Sequence, residues 1–441
     1  MRIAVAGTGY VGLVTGVCLA EHGHCVTCVD VDEKKVEIMK KGISPIYEPG
    51  LDELMVKNME RLTFTTDYYN AYRDADVIFI GVGTPEKKDG SANLSYVYTV
   101  AGQIACSVEK DCVVVVKSTV PIGTNDKVEG YIRDHIVNQS VTVHVASNPE
   151  FLAQGTAVQD TMHASRIVIG TESEFAAKML EEVYKDFDAP KLFTNRRSAE
   201  MVKYASNDFL ALKISYINEI ANLCEIVGAD IEDVTRGMGY DKRIGNRFLS
   251  AGIGYGGSCF PKDTKALHWL ASFNDYELKT IKAAIETNEN QKYKLVKKAH
   301  KYYDNLEGLT VAALGLTFKP GTDDLREAPS LVSIPIFLED NCKVRAWDPV
   351  GEKNYKKIYP TELSYCSTIE EALADADICF IFTEWEEIKK LPVSVYERYM
   401  KKAIIIDGRN CYALSQFDGV RAIYDSIGRC TVDHIRGNGI V

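Results

Sequence analysis

Two hydrophobic patterns alternate along the first half of the chain, short apolar runs that predict buried strands and spaced apolar positions that predict helices. The run Arg2–Ala6 is followed by helical spacing from Val11 to His22, which ends at Gly23, and by a second apolar run at Cys25–Val29. Further strand-like runs occur at 77–82, 113–117, 141–146 and 167–169. This alternation of strands with helical or turn segments predicts a doubly wound α/β domain.

The middle of the chain has a different pattern, and the alternation then restarts. A long, mostly apolar helical pattern runs from Ser198 to about Val227, and helical stretches continue to about Tyr303. Strand patterns return at 310–316, 343–347, 377–382 and 403–406, with a helix at 329–340. We therefore predict two Rossmann-like doubly wound parallel-sheet domains, residues 1–197 and 305–441, joined by a long central helix and a helical dimerisation region, residues 198–304.

A glycine-rich turn, Gly7-Thr8-Gly9-Tyr10-Val11-Gly12, lies between the first predicted strand and helix. In this position a G-x-G-x-x-G motif lets the backbone approach a pyrophosphate, and the helix N-terminus faces the anion. Asp30 ends the second strand, 18 residues after Gly12, where a carboxylate accepts hydrogen bonds from an adenosine ribose. Because a carboxylate disfavours a 2′-phosphate, the motif predicts NAD rather than NADP. Asp348 follows the second strand of the last domain in the same way, but that domain lacks the glycine motif, so we expect a divergent nucleotide-binding half rather than a second NAD site.

Composition and charge exclude several classes of protein. The 441 residues are 46% hydrophobic and carry a formal net charge of −11, which argues against a nucleic-acid surface. We expect a cytoplasmic protein, since no run of 18 apolar residues occurs and the N-terminus leads directly into the glycine turn. The 12 cysteines are scattered, and Cys25 and Cys28 have no second ligand pair nearby, so no metal site is predicted.

The segment 248–263 is a glycine-dense loop that leads into Cys259 at a predicted helix start. A helix N-terminus and a neighbouring cation, here Lys262, favour the thiolate. Oxidising an alcohol to an acid needs two hydride transfers, and a thiolate can trap the aldehyde between them as a thiohemiacetal. Water must then cleave the thioester, and Asp263, one helical turn on, is placed to orient it. A buried structural cysteine and a solvated surface aspartate are the alternative interpretations.

Two polar residues of the long helix, Lys203 and Asn207, stand four positions apart in apolar surroundings and therefore share a face. A lysine and a carboxamide on one stripe can hold a developing oxyanion, although a surface lysine beside a helix-pairing asparagine would show the same spacing. The neighbouring Asp208 would pair with Lys203 if it faced the same pocket. Successive helical residues lie about 100° apart, so we expect Asp208 to face away.

Four further motifs follow predicted strands, where open α/β sheets place their ligands, and we expect them to share one crevice. They are Gly83-Thr84-Pro85, Lys117-Ser118-Thr119-Val120-Pro121, Asn148-Pro149-Glu150-Phe151-Leu152, and Phe318-Lys319-Pro320 with Asp323 and Arg326.

These motifs together resemble the UDP-glucose 6-dehydrogenases, a branch of the nucleotide-sugar dehydrogenases that make uronic acids. The likeness covers nearly the whole chain, and its most specific part is the segment Gly254-Tyr255-Gly256-Gly257-Ser258-Cys259-Phe260-Pro261-Lys262-Asp263. Its other anchors are the glycine turn, Ser44-Pro45-Ile46-Tyr47-Glu48-Pro49-Gly50, Ser118-Thr119-Val120-Pro121, Asn148-Pro149-Glu150-Phe151 and Phe318-Lys319-Pro320.

The resemblance implies a role for individual residues. Cys259 would be the nucleophile, while Lys203, Asn207 and Asp263 assist oxyanion stabilisation and water activation, and Thr119 and Glu150 organise water or the base. The implied NAD contacts are Gly7, Gly9, Tyr10, Val11, Gly12, Asp30, Lys35, Thr84, Thr119, Glu150, Lys262 and Arg326. The implied substrate contacts are Glu150, Phe151, Leu152, Lys203, Asn207, Arg243, Phe248, Leu249, Ser250, Gly252, Tyr255, Gly256 and Lys319.

Arg243 resembles an arginine that the family donates to the sugar nucleotide from the partner subunit, which implies a homodimer. A solvated loop arginine fits the sequence equally well.

The expected reaction is the NAD-dependent four-electron oxidation of UDP-glucose to UDP-glucuronate, a step of nucleotide-sugar and polysaccharide metabolism. A dehydrogenase of GDP-mannose or of a UDP-N-acetylhexosamine is the alternative within the class, although Tyr255 and Phe260 resemble the UDP-glucose branch. A single-step hydroxyacid dehydrogenase would need no thiol, and an NAD-binding scaffold would show no turnover. The number of NADH molecules formed per substrate separates these classes.

Overall fold

The computed structural model describes residues 1–436 and the backbone of 439 and 440, and these form two compact units. Unit 1 contains residues 1–206 and 269–274, and unit 2 contains residues 207–268 and the described residues from 275 onward. Each unit is built on its own eight-stranded sheet. The two predicted parallel-sheet domains with a long helix between them are therefore confirmed. The predicted limits 1–197, 198–304 and 305–441 stay a prediction, and residues 437, 438 and 441 of the last range lie outside the described residues.

The elements of unit 1 alternate between strands and helices. Its strands are β1 (Arg2–Ala6), β2 (Cys25–Val29), β3 (Leu62–Thr65), β4 (Val77–Ile80), β5 (Cys112–Val116), β6 (Val143–Ser147), β7 (Ile167–Gly170) and β8 (Lys191–Thr194). Its helices are α1 (Tyr10–Glu21), α2 (Glu33–Met39), α3 (Leu51–Lys57), α4 (Tyr68–Arg73), α5 (Ser95–Ser107), α6 (Thr124–His135), α7 (Ala157–Met162) and α8 (Glu174–Val183). The strand order is β3-β2-β1-β4-β5-β6-β7-β8.

Both faces of this sheet are buried, which explains why its strands read as apolar runs. In β1, Ile3 and Val5 belong to the core on one face, whereas Ala4 and Ala6 belong to the core on the other. The register places Ala6 between Val29 of β2 and Ile80 of β4. The pairs are parallel except β6 with β7, which is antiparallel. Because the neighbouring strands run parallel, the ends of β1, β2, β4 and β5 meet at one edge of the sheet.

The helical middle of the chain leads into the second sheet. Its helices are α9 (Arg196–Val227), α10 (Ile231–Gly239), α11 (Phe260–Phe273), α12 (Lys279–Gln291) and α13 (Lys294–Ala299). The second sheet and its helices comprise β9 (Thr310–Leu314), α14 (Ser330–Glu339), β10 (Lys343–Trp347), α15 (Glu352–Tyr355), β11 (Ser364–Tyr365), α16 (Ile369–Leu373), β12 (Ile378–Ile381), α17 (Glu386–Lys389), α18 (Ser394–Tyr399), β13 (Ile404–Asp407), β14 (Ile423–Asp425), β15 (Val432–Asp433) and β16 (Gly439–Ile440), with a 3₁₀ turn at Leu414–Phe417.

The second sheet repeats the layout of the first, in the order β11-β10-β9-β12-β13-β14-β15-β16. Val311 and Ala313 of β9 face one core, and Ala312 and Leu314 face the other. The sequence pattern did not predict β11 or the antiparallel strands β15 and β16, because two-residue strands are too short to show a period. Among the helices that the structure describes, not one combines the length and the apolar character needed to cross a membrane.

Candidate active site

The glycine turn of unit 1 has the close backbone approach that the motif predicts. Gly7 has φ +92°, a left-handed conformation that favours glycine, and a Cβ on Gly12 would lie 1.9 Å from the carbonyl oxygen of Gly7. In the described part of the chain, by contrast, no atom lies within 4 Å of a Cβ placed on Gly9. Internal packing therefore explains the glycines at 7 and 12. The open space at Gly9, directly before α1, leaves room for an anion at the helix N-terminus.

Asp30 lies just beyond the end of β2 and contacts this turn. One of its oxygens accepts hydrogen bonds from the backbone N–H of Thr8 at 3.0 Å and from the Thr8 hydroxyl at 2.5 Å, and the other accepts from Asp32 N–H at 3.0 Å. Burial raises the pKa of Asp30, but these hydrogen bonds and the charge of Lys35 lower it overall. The turn therefore carries an ionised acceptor, and the residues present fit NAD: an open anion position beside a carboxylate for ribose hydroxyls.

The strand-end motifs of unit 1 lie at the same edge of the sheet. The hydroxyl of Thr84, after β4, donates to the carbonyl of Thr119, after β5, at 2.8 Å. Ser118 likewise donates to the carbonyl of Val82 at 2.6 Å. Tyr10, the first residue of α1, donates its hydroxyl to the carbonyl of Tyr47 at 2.7 Å. The predicted cofactor residues of the two loops are thus held together, while Val11 and Lys35 are half-buried on α1 and α2.

Lys203 forms a buried ion pair with Glu150. Its Nζ lies 2.9 Å from Glu150 Oε1, and the two side chains are 3% and 5% exposed. The other oxygen of Glu150 accepts the backbone N–H of Leu152 at 2.8 Å, and Lys203 Nζ lies 5.5 Å from the centre of the Phe151 ring. Lys203 is therefore paired with the Glu150 carboxylate rather than with Asp208, and it is not an isolated cation.

A second buried lysine, Lys117, lies in the same region and was missed as a site residue. Its Nζ donates to the side-chain oxygen of Asn148 at 2.9 Å, and the Tyr184 hydroxyl donates to the same oxygen at 2.5 Å. Burial lowers the pKa of Lys117 to about 8, although the charge of Glu150 acts in the opposite direction. A lysine directly after five buried β-residues is the sequence signal that could have identified it.

Cys259 precedes the first residue of α11 in unit 2, as the glycine loop predicted. The backbone N–H of Asp263 donates to the Cys259 carbonyl at 2.8 Å, which places Asp263 in the first turn of that helix. The loop has no room for larger side chains, since a Cβ would lie 2.3 Å from the Glu327 carbonyl oxygen at Gly256 and 2.7 Å from the Phe318 ring at Gly257. Cys259 itself is half-exposed, as a reactive thiol must be.

Asp263 is a buried carboxylate rather than a solvated surface aspartate. The side-chain N–H of Asn207 donates to one of its oxygens at 2.7 Å, and Lys262 Nζ lies 2.6 Å from the other. The Asp263 side chain is 1% exposed. Unit 2 therefore brings Asn207, Lys262 and Asp263 together, and Asp263 lies one helical turn after Cys259.

Asp208 faces this cluster, so the expectation that it faces away is wrong. Helix α9 is buried over a wide stripe that includes Tyr204, Asn207, Asp208 and Ala211, and two neighbours 100° apart both fit within such a stripe. Asp208 is 2% exposed, and within the described residues neither of its oxygens has a hydrogen-bond partner. Burial and then the charge of Asp263 raise the pKa of Asp208 to about 8.

The predicted substrate loop, residues 248–256, is held by side chains of unit 2. Asn218 accepts the backbone N–H of Gly252 at 2.8 Å, and Asn288 accepts that of Tyr255 at 2.8 Å. The Tyr255 ring packs edge-on against Phe260 at 5.8 Å between ring centres. Phe248 adopts φ +62°, Leu249 is buried, and Ser250 is exposed.

Arg409 anchors the substrate loop and was also missed from the sequence. Its guanidinium donates to the Gly254 carbonyl at 3.1 Å and to the Phe382 carbonyl, at the end of β12, at 2.9 Å. It therefore connects the substrate loop to the carboxyl edge of the second sheet. No glycine fingerprint or spacing rule marks an arginine whose partners are backbone carbonyls.

The remaining predicted residues lie nearer the surface. Arg243 is 89% exposed and pairs with Asp241 at 2.6 Å, and Arg326 pairs with Asp324 at 2.6 Å. Lys319 Nζ lies 5.7 Å from the centre of the Phe318 ring. Within the residues that the structure describes, no group of His, Cys, Asp or Glu could hold a metal ion.

Family models and known proteins give a consistent comparison. Three models of the UDP-glucose/GDP-mannose dehydrogenase family match: the NAD binding domain at residues 1–188, the central domain at 197–290 and the UDP binding domain at 312–414. A UDP-glucose 6-dehydrogenase of Bacillus subtilis, YwqF, is 52% identical over 434 residues, 98% of each chain.

Two solved structures are similar over nearly the whole chain. The UDP-glucose dehydrogenase of Pyrobaculum islandicum has a TM-score of 0.90 at 37% identity, covering 96% of each chain. The UDP-D-ManNAc dehydrogenase of Pyrococcus horikoshii has a TM-score of 0.86 at 28% identity, covering 97% of this chain and 99% of the other.

Proposed function

Because this chain belongs to the UDP-glucose/GDP-mannose dehydrogenase family, we propose that it oxidises UDP-glucose to UDP-glucuronate with two molecules of NAD. The family makes the chain an NAD-dependent oxidoreductase with a UDP binding domain. The relatives named UDP-glucose dehydrogenases favour glucose as the sugar. The observation that carries the double oxidation is Cys259, a half-exposed thiol one helical turn before the buried Asp263.

The thiol is needed between the two oxidations. NAD, bound at the glycine turn, supplies the electron acceptor. The thiolate sulfur of Cys259 bonds to C6 of the aldehyde, the π bond of the carbonyl breaks, and its oxygen takes a proton from water to give a thiohemiacetal, which keeps the aldehyde on the protein. Oxidation of this adduct gives a thioester at the same sulfur. The position of Cys259 directly before α11 favours the thiolate that this attack requires.

Hydrolysis of the thioester releases the acid. The oxygen of a water molecule bonds to C6, one of its protons passes to the Asp263 carboxylate, and the bond between sulfur and C6 breaks to leave the Cys259 thiolate and the carboxylic acid. Asn207 and Lys262 hold Asp263 in place. Lys203 and Glu150 act as a neutral pair at the substrate, so Lys203 stabilises the developing oxyanion as a hydrogen-bond donor rather than as an isolated charge.

The stoichiometry of NADH tests this proposal. Wild type is expected to form two NADH per UDP-glucose consumed, and Cys259→Ser is expected to lose the second oxidation. Cys366→Ser is the matched control, since Cys366 is a half-buried thiol of the same unit that the mechanism does not use. Asp263→Asn should accumulate the thioester, visible as added mass on the protein. One NADH per sugar, or full activity without Cys259, would contradict the mechanism.

The alternative substrates are tested in the same assay. GDP-mannose and UDP-N-acetylmannosamine should give a kcat/KM at least about a hundredfold lower than UDP-glucose, because a misplaced sugar substituent leaves polar groups of the site without partners. A preference for either one would move the chain to another branch of the family.

A homodimer, with Arg243 acting in the partner's site, is the assembly that we propose. Exposed apolar residues line one stripe of α9 at seven-residue spacing, Phe209, Tyr216 and Leu223, and continue to Ile226, which is 80% exposed. Such a stripe is typical of a helix that packs against a second copy. A cytoplasmic location stays a prediction.

Mixing two inactive variants tests the role of Arg243. Arg243→Ala and Cys259→Ser alter different parts of the site. If Arg243 acts across the interface, a co-expressed mixture contains hybrid dimers with one intact site and recovers activity. If it acts within its own chain, the mixture stays inactive.

A further inference from the structure

Two carboxyl groups are buried together in unit 2, but only one has compensating partners. Asp263 has Asn207 at one oxygen and Lys262 at the other. Asp208, on α9, has no hydrogen-bond partner at either oxygen within the described residues. The other cation in the first turns of α11, Lys265, pairs with Glu327. The Lys262 ammonium group therefore compensates Asp263, and within the described residues no cation is paired with Asp208.

Within the described part of the chain, the charge that acts on Asp208 is the negative charge of Asp263, and Asp208 forms no ion pair with a cation. Burial raises the pKa of the Tyr255 phenol, in the substrate loop, to about 12, and at the alkaline pH where this phenol titrates the charges of an ionised Asp208 and of Glu289 on α12 raise it further. An isolated carboxylate at a buried position of this kind is strongly disfavoured, and the usual response is to keep its proton. Asp208 is therefore a neutral carboxyl group at neutral pH, and Asp263 carries the only carboxylate charge of the pair.

We propose that Asp208 is a positioning residue that acts through Asp263: as a neutral group it leaves Asp263 as a single charge, and its ionisation sets the alkaline limit of turnover. The proposal rests on the function assigned above. When Asp208 loses its proton, a second negative charge lies beside Asp263. That charge repels the Asp263 carboxylate and competes with it for the Lys262 ammonium group, so Asp263 is no longer held in place for the attacking water and hydrolysis slows as the pH rises through about 8.

The pH profile of kcat tests the proposal, with UDP-glucose and NAD saturating. In wild type kcat is expected to fall by about tenfold above about pH 8, while KM for UDP-glucose changes little, since the charge acts on the attack and not on binding. Asp208→Asn has the same shape and no ionisation, so its profile should lack this fall. Glu286→Gln is the matched control, because it removes one negative charge from an exposed position of α12 in the same unit.

An infrared titration of the protein without substrate provides a readout that does not depend on turnover. A protonated carboxyl group has its own carbonyl band. Wild type should lose part of this band as the pH rises through about 8, and Asp208→Asn should lack that pH-dependent part, whereas Glu200 and Asp407, whose pKa values burial also raises, contribute equally in both proteins. Asp208→Ser serves as a second variant if the amide does not fold.

The outcomes separate this proposal from the proposed function. The role of Asp208 is overturned if kcat falls at alkaline pH in both wild type and Asp208→Asn. It is also overturned if wild type shows no carbonyl band that disappears near pH 8. Full activity of Asp263→Asn overturns the hydrolysis mechanism, and the carbonyl band still reports whether Asp208 is neutral. A variant that loses the same fraction of kcat at every pH marks Asp208 as purely structural and also overturns the proposal.

Discussion

Replacing Asp208 with asparagine should make the folded protein relatively more stable as the pH rises. The pKa of Asp208 is 3.8 in an ordinary environment and about 8 in the folded protein. Between these two values the folded state holds one more proton at this site than the unfolded chain, so the stability of wild type falls as the pH rises. The loss is complete above about pH 8 and absent below about pH 4, and the asparagine variant does not suffer it.

The size of the effect follows from the pKa difference. Between about pH 5.5 and pH 8, wild type can lose at most about 3 kcal/mol of unfolding free energy through this group, at about 1.36 kcal/mol per pH unit. We expect about half of it, on the order of 2 kcal/mol, because water entry and relaxation raise the effective dielectric constant around a buried group. In a unit of this size that is about 4–8 °C in Tm. The buried amide has its own cost of about 1–3 kcal/mol, but this cost does not change with pH.

The assay is thermal unfolding of wild type, Asp208→Asn and the control Glu286→Gln at several pH values between about 5.5 and 8.5. The Tm difference between Asp208→Asn and wild type should move in favour of the variant across this range, whatever its sign at the acidic end. The control should follow wild type. If the curves of wild type and Asp208→Asn stay parallel, Asp208 does not hold a proton in the folded protein and the reasoning is refuted.

Three further changes test other parts of the structure. Lys203→Met leaves Glu150 buried without its ion-pair partner and should cost about 3 kcal/mol in urea unfolding, whereas an unchanged midpoint would show that the pair is not formed. Gly12→Ala places a Cβ 1.9 Å from the Gly7 carbonyl oxygen, so calorimetry should find NAD binding lost while unit 2 still binds UDP. Retained NAD affinity would contradict the close approach of the backbone at Gly12. Asp348→Ala removes the acceptor of several buried donors and should lower stability by about 3 kcal/mol without altering the NAD affinity, which a matched titration checks.

The sheet could be predicted from the sequence because its strands are buried on both faces. Runs such as Val113–Val116 leave no alternative to a central strand, and the predicted bounds agree with the structure to within about two residues at most ends. The glycine turn and the cysteine loop could also be predicted from the sequence. Each contains glycines at positions where a Cβ would collide with neighbouring atoms. Short edge strands such as Ser364–Tyr365 were not, because two residues carry no period.

The charge pairing in the site could not be predicted in the same way. Helical spacing showed that Lys203 and Asn207 share a face, but their partners, Glu150 and Asp263, are 53 and 56 residues away along the chain. The orientation of Asp208 was wrong because the spacing argument assumed one narrow buried face, whereas α9 is buried over a wide stripe. Which carboxylate receives which cation depends on tertiary contacts, and no local pattern records them.

The second sheet uses the carboxylate at the matching position in a different way from the first. Asp348 occupies the place of Asp30, beyond the end of the second strand of its sheet. One of its oxygens accepts Leu316 N–H at 2.6 Å and Trp385 Nε1–H at 3.1 Å, and the other accepts Val350 N–H at 3.0 Å and Gly351 N–H at 2.6 Å. A carboxylate whose oxygens already accept four hydrogen bonds from the protein has no acceptor position left for ribose hydroxyls. The position at which we expect a ribose-binding carboxylate in the first sheet, Asp30, is therefore occupied in the second sheet by Asp348, a carboxylate that holds the strand-end loops together.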